Sequence, residues 1–141
     1  MQGKYLLDAS ALFLLVQRGD IISQGRIIKN IHILHLTIYE IGNVLWKEAY
    51  IFKRIKDLDR AAELIQEILR QINILADPPI AEVLRLSVSR GGLTFYDASY
   101  VYAAESMGFV LVTEDRQMLK STSNAISFGG EFVDAIIRGN A

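Results

Sequence analysis

Asp8 stands inside the apolar run "YLLDASALFLLV", between Leu7 and Ala9. A carboxylate left without partners in such surroundings costs several kcal/mol or gives up its charge, so the position asks for a reason. Three other acids stand at places that a fold could bring to the same edge. Glu40 lies one turn into a helix-spaced segment, Asp97 follows Thr94 by three residues, and Asp115 comes directly after the apolar run "FVLVT". Each has an ordinary structural use. Asp8 can cap a helix begun by Ser10, and Glu40 can face the positive end of a helix dipole. Asp97 can complete a capping box, though its arm is shorter than that of glutamate. Asp115 competes with Glu114 next to it, whose side chain should point the other way, and Thr113 offers a cap nearby. Jointly, two strand ends and two helix starts each offer a carboxylate. Acids at close range raise one another's pKa, and four of them call for a cation. Hard oxygen donors suit Mg²⁺ or Mn²⁺, which keep water ligands and bind substrate phosphates as well. The chemistry expected of this set is metal-dependent hydrolysis of a phosphodiester.

Other chemistries are less supported. The chain has no cysteine, which excludes thiol catalysis, disulfides and Cys-based zinc sites. Its two histidines, His32 and His35, fall in the strand-like "IHILHL" away from the acids and read as structural. Asn43 and Lys47 follow Glu40 at i+3 and i+7 on one helical stripe. Lys47 is expected to form an ion pair with Glu40 in preference to contacting phosphate.

The elements that must hold these residues can be read from periodicity. Short strands are expected at 3–8, 31–36, 72–77, 109–113 and 125–128. Helices are expected at about 10–17, 21–29, 37–52, 58–72, 80–89, 94–107, 116–119 and 131–138. In the third of these, Ile38, Ile41, Leu45, Ala49 and Phe52 share one face. In the next, Leu58, Ala61, Ile65, Ile68 and Ile72 do so, opposite Arg60, Glu63, Glu67 and Arg70. Short apolar strands alternating with helices indicate an α/β layered domain with a mainly parallel sheet, whose ligands bind at the carboxyl ends of the strands.

The 141 residues read as one domain, 1–141, with no repeat or linker-like stretch. Half of them (51%) are hydrophobic and the net charge is −1, so composition alone announces no nucleic-acid binder. That sum hides a basic patch of Lys47, Lys53, Arg54, Lys56 and Arg60, which reads as a solvated helix face or a phosphate-tracking surface. The apolar start of the chain is broken by Asp8 and Ser10 and is too short to span a membrane. A cytoplasmic protein without a membrane segment is expected.

At the four acids the chain resembles the PIN-domain family, and within it the VapC-like toxin ribonucleases. The matching stretches are "LLDASAL", "YEIGNVLWK", "GLTFYDASYVYAAESMG" and "LVTEDRQML", in the family's order and covering nearly the whole chain. The resemblance implies a three-layer α/β/α sandwich around a parallel sheet and an acidic quartet of Asp8, Glu40, Asp97 and Asp115. It implies Mg²⁺- or Mn²⁺-dependent endonucleolytic cleavage of RNA, with Ser10, Asn43 and Thr113 at supporting polar positions. It also implies a cognate antitoxin and a homodimer, for which Trp46, Tyr50, Phe52 and Tyr102 could supply surface, although core packing is the default use of such residues. The alternatives are a stand-alone PIN nuclease in RNA processing, a receiver-like signalling module and a non-catalytic binding module. A receiver would need a second acid near Asp8 and a lysine after "AISF", and the sequence has neither.

Overall fold

The computed structural model describes residues 3–23 and 27–138. Five strands, β1 (Tyr5–Leu7), β2 (Ile31–Ile33), β3 (Asn73–Ile74), β4 (Val110–Val112) and β5 (Ala125–Ile126), form one sheet in the order β3-β2-β1-β4-β5. Every pairing is parallel, with Tyr5 opposite Ile31 on one side and Val110 on the other. The helices are α1 (Ala9–Val16), α2 (Gly19–Ile22), α3 (His35–Trp46), α4 (Leu58–Leu69), α5 (Ile80–Ser89), α6 (Phe95–Met107), α7 (Arg116–Ser121) and α8 (Val133–Ile137).

Alternation along β1 explains the layers. Successive strand side chains point to opposite faces. Tyr5 and Leu7 therefore enter one core with α1, α3, α4 and α8, while Leu6 enters a second core with α5, α6 and α7. Leu6 and Leu7 are fully buried. A sheet covered on both faces needs continuously apolar strands, which is why "YLL" and "VLV" carry no polar alternation. The result is a three-layer α/β/α sandwich. Chain order runs outward from β1 through β2 to β3, then crosses to β4 on the other side. The order therefore reverses between β1 and β4, and crevices at such a reversal are where open α/β sheets bind ligands.

Several expectations change. The strand expected at 31–36 ends at Ile33 because the Leu34 N–H donates to Thr37 Oγ1 (3.1 Å), turning the chain so that His35 opens α3. The helix expected at 21–29 is absent as such. Its described parts form α2 and a single 3-10 turn, Ile28–Asn30, and residues 24–26 lie outside the described residues. After Trp46 the helix widens into a π-type turn, Lys47–Ile51, and Lys53 then adopts a left-handed φ of 56°. The wider turn shifts the helical phase, so Phe52 leaves the face it was expected to share with Ile41 and is 51% exposed. Trp46 and Tyr50 likewise stay out of the core and stack on each other, with ring centroids 5.7 Å apart.

Candidate active site

Asp8 follows β1 directly and caps α1. Its Oδ1 accepts the Ala11 N–H (3.0 Å) and the Ser10 hydroxyl (2.6 Å), and its Oδ2 accepts the Thr113 hydroxyl (2.5 Å). The apolar run therefore carries its acid with three donors in place. The two functions are joined, because Thr113 sits at the end of neighbouring β4 and also receives the Asp115 N–H through Oγ1 (3.0 Å). Asp115 caps α7 by accepting the Met118 N–H (3.0 Å) on Oδ1. Two parallel strands thus deliver two capping aspartates side by side, tied through one threonine.

The other two acids come from helix starts. Thr94 caps α6 by accepting the Asp97 N–H (3.1 Å), and α6 runs to Gly108, whose left-handed φ of 70° ends it. Glu40 projects from the second turn of α3 and accepts the Tyr100 hydroxyl on Oε1 (2.5 Å). Tyr100 comes from α6, is 1% exposed and also meets Thr37 Oγ1 (2.7 Å). The direction of these bonds is fixed from the Glu40 end. The Glu40 carboxylate accepts the one Tyr100 proton, so the Thr37 hydroxyl donates to Tyr100 while its oxygen accepts the Leu34 N–H.

All four carboxylates line one cavity of about 190 Å³ with Ala9, Ser10, Tyr100 and Met118. Among the described residues no Lys, Arg or His belongs to that lining. Burial pushes the carboxyl of Asp8 above the usual carboxylate range, the Ser10, Thr113 and Ala11 hydrogen bonds partly offset it, and the Asp115 charge adds to the rise. Glu40 is raised by burial first, against the Tyr100 hydrogen bond, and then by the charges of Asp8 and Asp97. Asp97 is raised by burial, then by Asp115 and Asp8. The four acids therefore feel one another across the cavity. Among the described residues, no three of them close into a ready-made coordination cluster.

The remaining candidates divide. Ser10 and Thr113 both hold Asp8, while Asn43 bonds none of the four acids among the described residues and lines an adjoining trough beside Glu40. Glu114 turns away and accepts the Phe128 N–H (2.8 Å). Lys47 does not form the expected ion pair with Glu40 among the described residues; Tyr100 is the partner instead. His32 lies against the Phe109 ring at 4.6 Å, and burial lowers its pKa. His35 Nδ1 lies 3.0 Å from Asp77 Oδ1, so the two histidines are both away from the cavity. Tyr100 and Thr37 were not foreseen as part of the site. The available signal was a tyrosine, where phenylalanine would pack equally well, at a helix position facing the core: a buried phenol needs a hydrogen-bond partner.

Comparison with known proteins gives the family of the chain. The family model described as the PIN domain matches residues 5–123. A Pyrobaculum aerophilum protein named exonuclease VapC9 is 50% identical over 126 residues, covering 89% of this chain and 91% of that protein. Another from the same organism, named ribonuclease VapC3, is 34% identical over 125 residues, covering 82% of this chain and 92% of its own. The crystal structure of PAE2754 from Pyrobaculum aerophilum superposes with a TM-score of 0.82 at 45% identity, over 98% of this chain and 96% of that one. The chain belongs to the PIN-domain family, and within it to the VapC-like proteins.

Proposed function

We propose that this protein is a divalent-metal-dependent nuclease that hydrolyses RNA phosphodiesters internally, and that it acts as the toxin of a VapBC-type pair. One observation carries the reading: four carboxylates line a single cavity at the β1/β4 reversal, with no cationic side chain among the described residues of its wall. The donor set fits Mg²⁺ or Mn²⁺. It offers only hard oxygen atoms, and their mutual repulsion is the kind a dication relieves. Asp8, Glu40, Asp97 and Asp115 would hold the metal, which supplies a bound water of lowered pKa and charge stabilisation at the phosphorus. The chain's own contribution is fixity. Ser10 and Thr113 hold Asp8, Tyr100 holds Glu40, and the α7 cap holds Asp115. No histidine lines the cavity to act as base.

The names of the two relatives differ, one an exonuclease and the other a ribonuclease. A circular RNA separates internal from terminal cleavage because it has no end. The pure protein with Mn²⁺ should open the circle, and Asp8→Asn or Asp97→Asn should not. Opening by both variants overturns the site, and attack on linear RNA alone overturns internal cleavage. The toxin reading further places an antitoxin and a second copy of the chain on exposed surface. The half-exposed Trp46, Tyr50 and Phe52 offer apolar area for one of them. Co-purification with the product of an adjacent small gene supports the pair, and a protein that purifies alone and is harmless when expressed counts against it. A cytoplasmic setting is part of the proposal. Among the described residues no helix is long and apolar enough to cross a membrane.

A further inference from the structure

The chain contains six tyrosines. Four are engaged: Tyr5 packs edge-on against Phe132, Tyr50 stacks on Trp46, Tyr100 bonds Glu40, and Tyr102 bonds Glu82. Tyr39 and Tyr96 have neither a ring partner nor a hydroxyl bond among the described residues, and they are 78% and 59% exposed. Both line the same trough, of about 520 Å³, which shares Ala9 and Glu40 with the acid cavity. The trough continues through Leu36 and Tyr96 into a second hollow of about 270 Å³ beside Pro78 and Phe95. Folding has therefore left two aromatic rings uncovered on the floor and wall of a channel that opens directly onto the acids.

We propose that this trough seats the unpaired bases of the nucleic acid whose phosphodiester lies at the acid cavity, with Tyr96 and Tyr39 as stacking platforms. The inference rests on the nuclease reading and adds to it the side chains that would seat the bases. Three features favour bases over other occupants. A phosphodiester at the four acids has a nucleotide on each side, and the trough adjoins the acid cavity along the shared Glu40 and Ala9, so it lies within reach of one of them. Among the described residues the trough carries no Lys or Arg, so it does not suit the phosphate backbone. Its apolar walls and aromatic faces do suit a base, whose π-face stacks whatever its identity. Finally, the exposed Asn43 amide on the rim can donate and accept, as the edge of a base requires. A base in a duplex has both faces and its pairing edge occupied, so it cannot use the trough.

The test combines photocrosslinking with kinetics on the full-length protein. A single-stranded oligoribonucleotide carrying 4-thiouridine should crosslink to peptides containing Tyr96 or Tyr39 and not to that containing Tyr50. Annealing it to its complement should remove the crosslink. In Mn²⁺, the Tyr39→Ala/Tyr96→Ala protein should lose roughly 5- to 150-fold in kcat/KM on that RNA for each base stack removed, chiefly through KM. Tyr39→Phe/Tyr96→Phe should restore most of what the alanine protein loses, since ring stacking needs no hydroxyl, and the control Val88→Ala, at an 82% exposed position on α5, should stay within about twofold of the unmodified protein. The Mn²⁺-induced rise in melting temperature should be the same in all of them, which shows that the variants are folded and the acids intact. Unchanged kcat/KM in the alanine protein overturns the inference, and so does an equal loss in the phenylalanine protein. Crosslinks confined to other surfaces also overturn it, including the case where the alanine protein cuts normally but no longer retains a co-expressed protein partner. A protein that crosslinks at Tyr96 but cuts no RNA refutes the nuclease reading while leaving the base seat standing.

Discussion

Adding Mn²⁺ to metal-free protein perturbs the cavity more directly than any mutation, and its effect can be sized beforehand. Asp8, Glu40 and Asp97 all have carboxyl groups held above their ordinary range by burial first and also by the charges of neighbouring acids, Asp115 among them. In the absence of a cation the fold carries that repulsion, and a ligand that binds only the folded state stabilises it by mass action. With free Mn²⁺ at a thousand times its Kd the gain is about 4 kcal/mol. An unfolding entropy of about 2.1 cal/mol/K per residue over 141 residues gives about 0.3 kcal/mol/K. The expected rise in Tm is therefore about 14 °C. Asp8→Asn should lose most of that rise yet melt within about 3 °C of the parent in EDTA. The amide keeps the cap, since its oxygen can still accept from Ala11 and Ser10 and its NH₂ can donate to Thr113. It also removes a buried charge. Differential scanning calorimetry, with KCl at matched ionic strength as control, measures both. A parent Tm indifferent to saturating Mn²⁺ refutes the reasoning, as does an Asp8→Asn protein that responds as fully as the parent.

Two further outcomes follow from the same geometry. Tyr100→Phe keeps the ring but strands the buried Thr37 hydroxyl and leaves Glu40 without its donor. It should cost about 1–3 kcal/mol in urea denaturation, and an unchanged midpoint counts against the directed chain of hydrogen bonds. The pH dependence of the metal-free protein has a definite sign. Carboxyls raised in the folded state make it bind more protons than the unfolded chain, so their repulsive cost fades as pH falls through the folded pKa and returns as pH rises. The carboxylates of Glu48 and Glu105 are held low by Arg54 and Arg90, so they titrate below the window from about pH 7 to pH 5. His32, with its lowered pKa, acts in the opposite direction within the window. Comparison with an Asp8→Asn/Glu40→Gln/Asp97→Asn protein cancels that histidine: on acidification in EDTA the parent should gain Tm relative to the variant, and a constant difference contradicts the raised values.

What the sequence revealed and concealed follows from the range of the forces involved. Local signals survived well. Thr94 caps α6 and Gly108 ends it where the sequence placed them, and Ile65 and Ile68 mark the buried face of α4, because caps and periodicity act within a turn or two. Asp8 was legible as an anomaly, since an acid in an apolar run is visible without a structure. The limits of "IHILHL" were not, because a short apolar run has no period that separates strand from helix, and Thr37 decided the matter by bonding backwards to Leu34. The exposure of Phe52 was hidden for a different reason. One widened turn at 47–51 rotates everything beyond it, and no single residue type announces such a turn.

Tyr100 shows why a site is harder to read than a fold. Its partners Thr37 and Glu40 lie 63 and 60 residues away in sequence, so no spacing rule connects them. The topology does. α3 follows β2 on one face of the sheet and α6 precedes β4 on the other, and their N-terminal turns meet beyond the carboxyl ends of β1 and β4. Residues in the first turns of either helix that face away from the cores thus project over the same edge, whichever layer the helix covers. That is also why Tyr39, one residue before Glu40, and Tyr96, one before Asp97, end up on the same trough. The residue beside each helical acid points about a quarter turn away from it, enough to leave the acid cavity but not its rim. The acids and the two uncovered rings are consequences of one arrangement, and the topology that assembles the first also supplies the second.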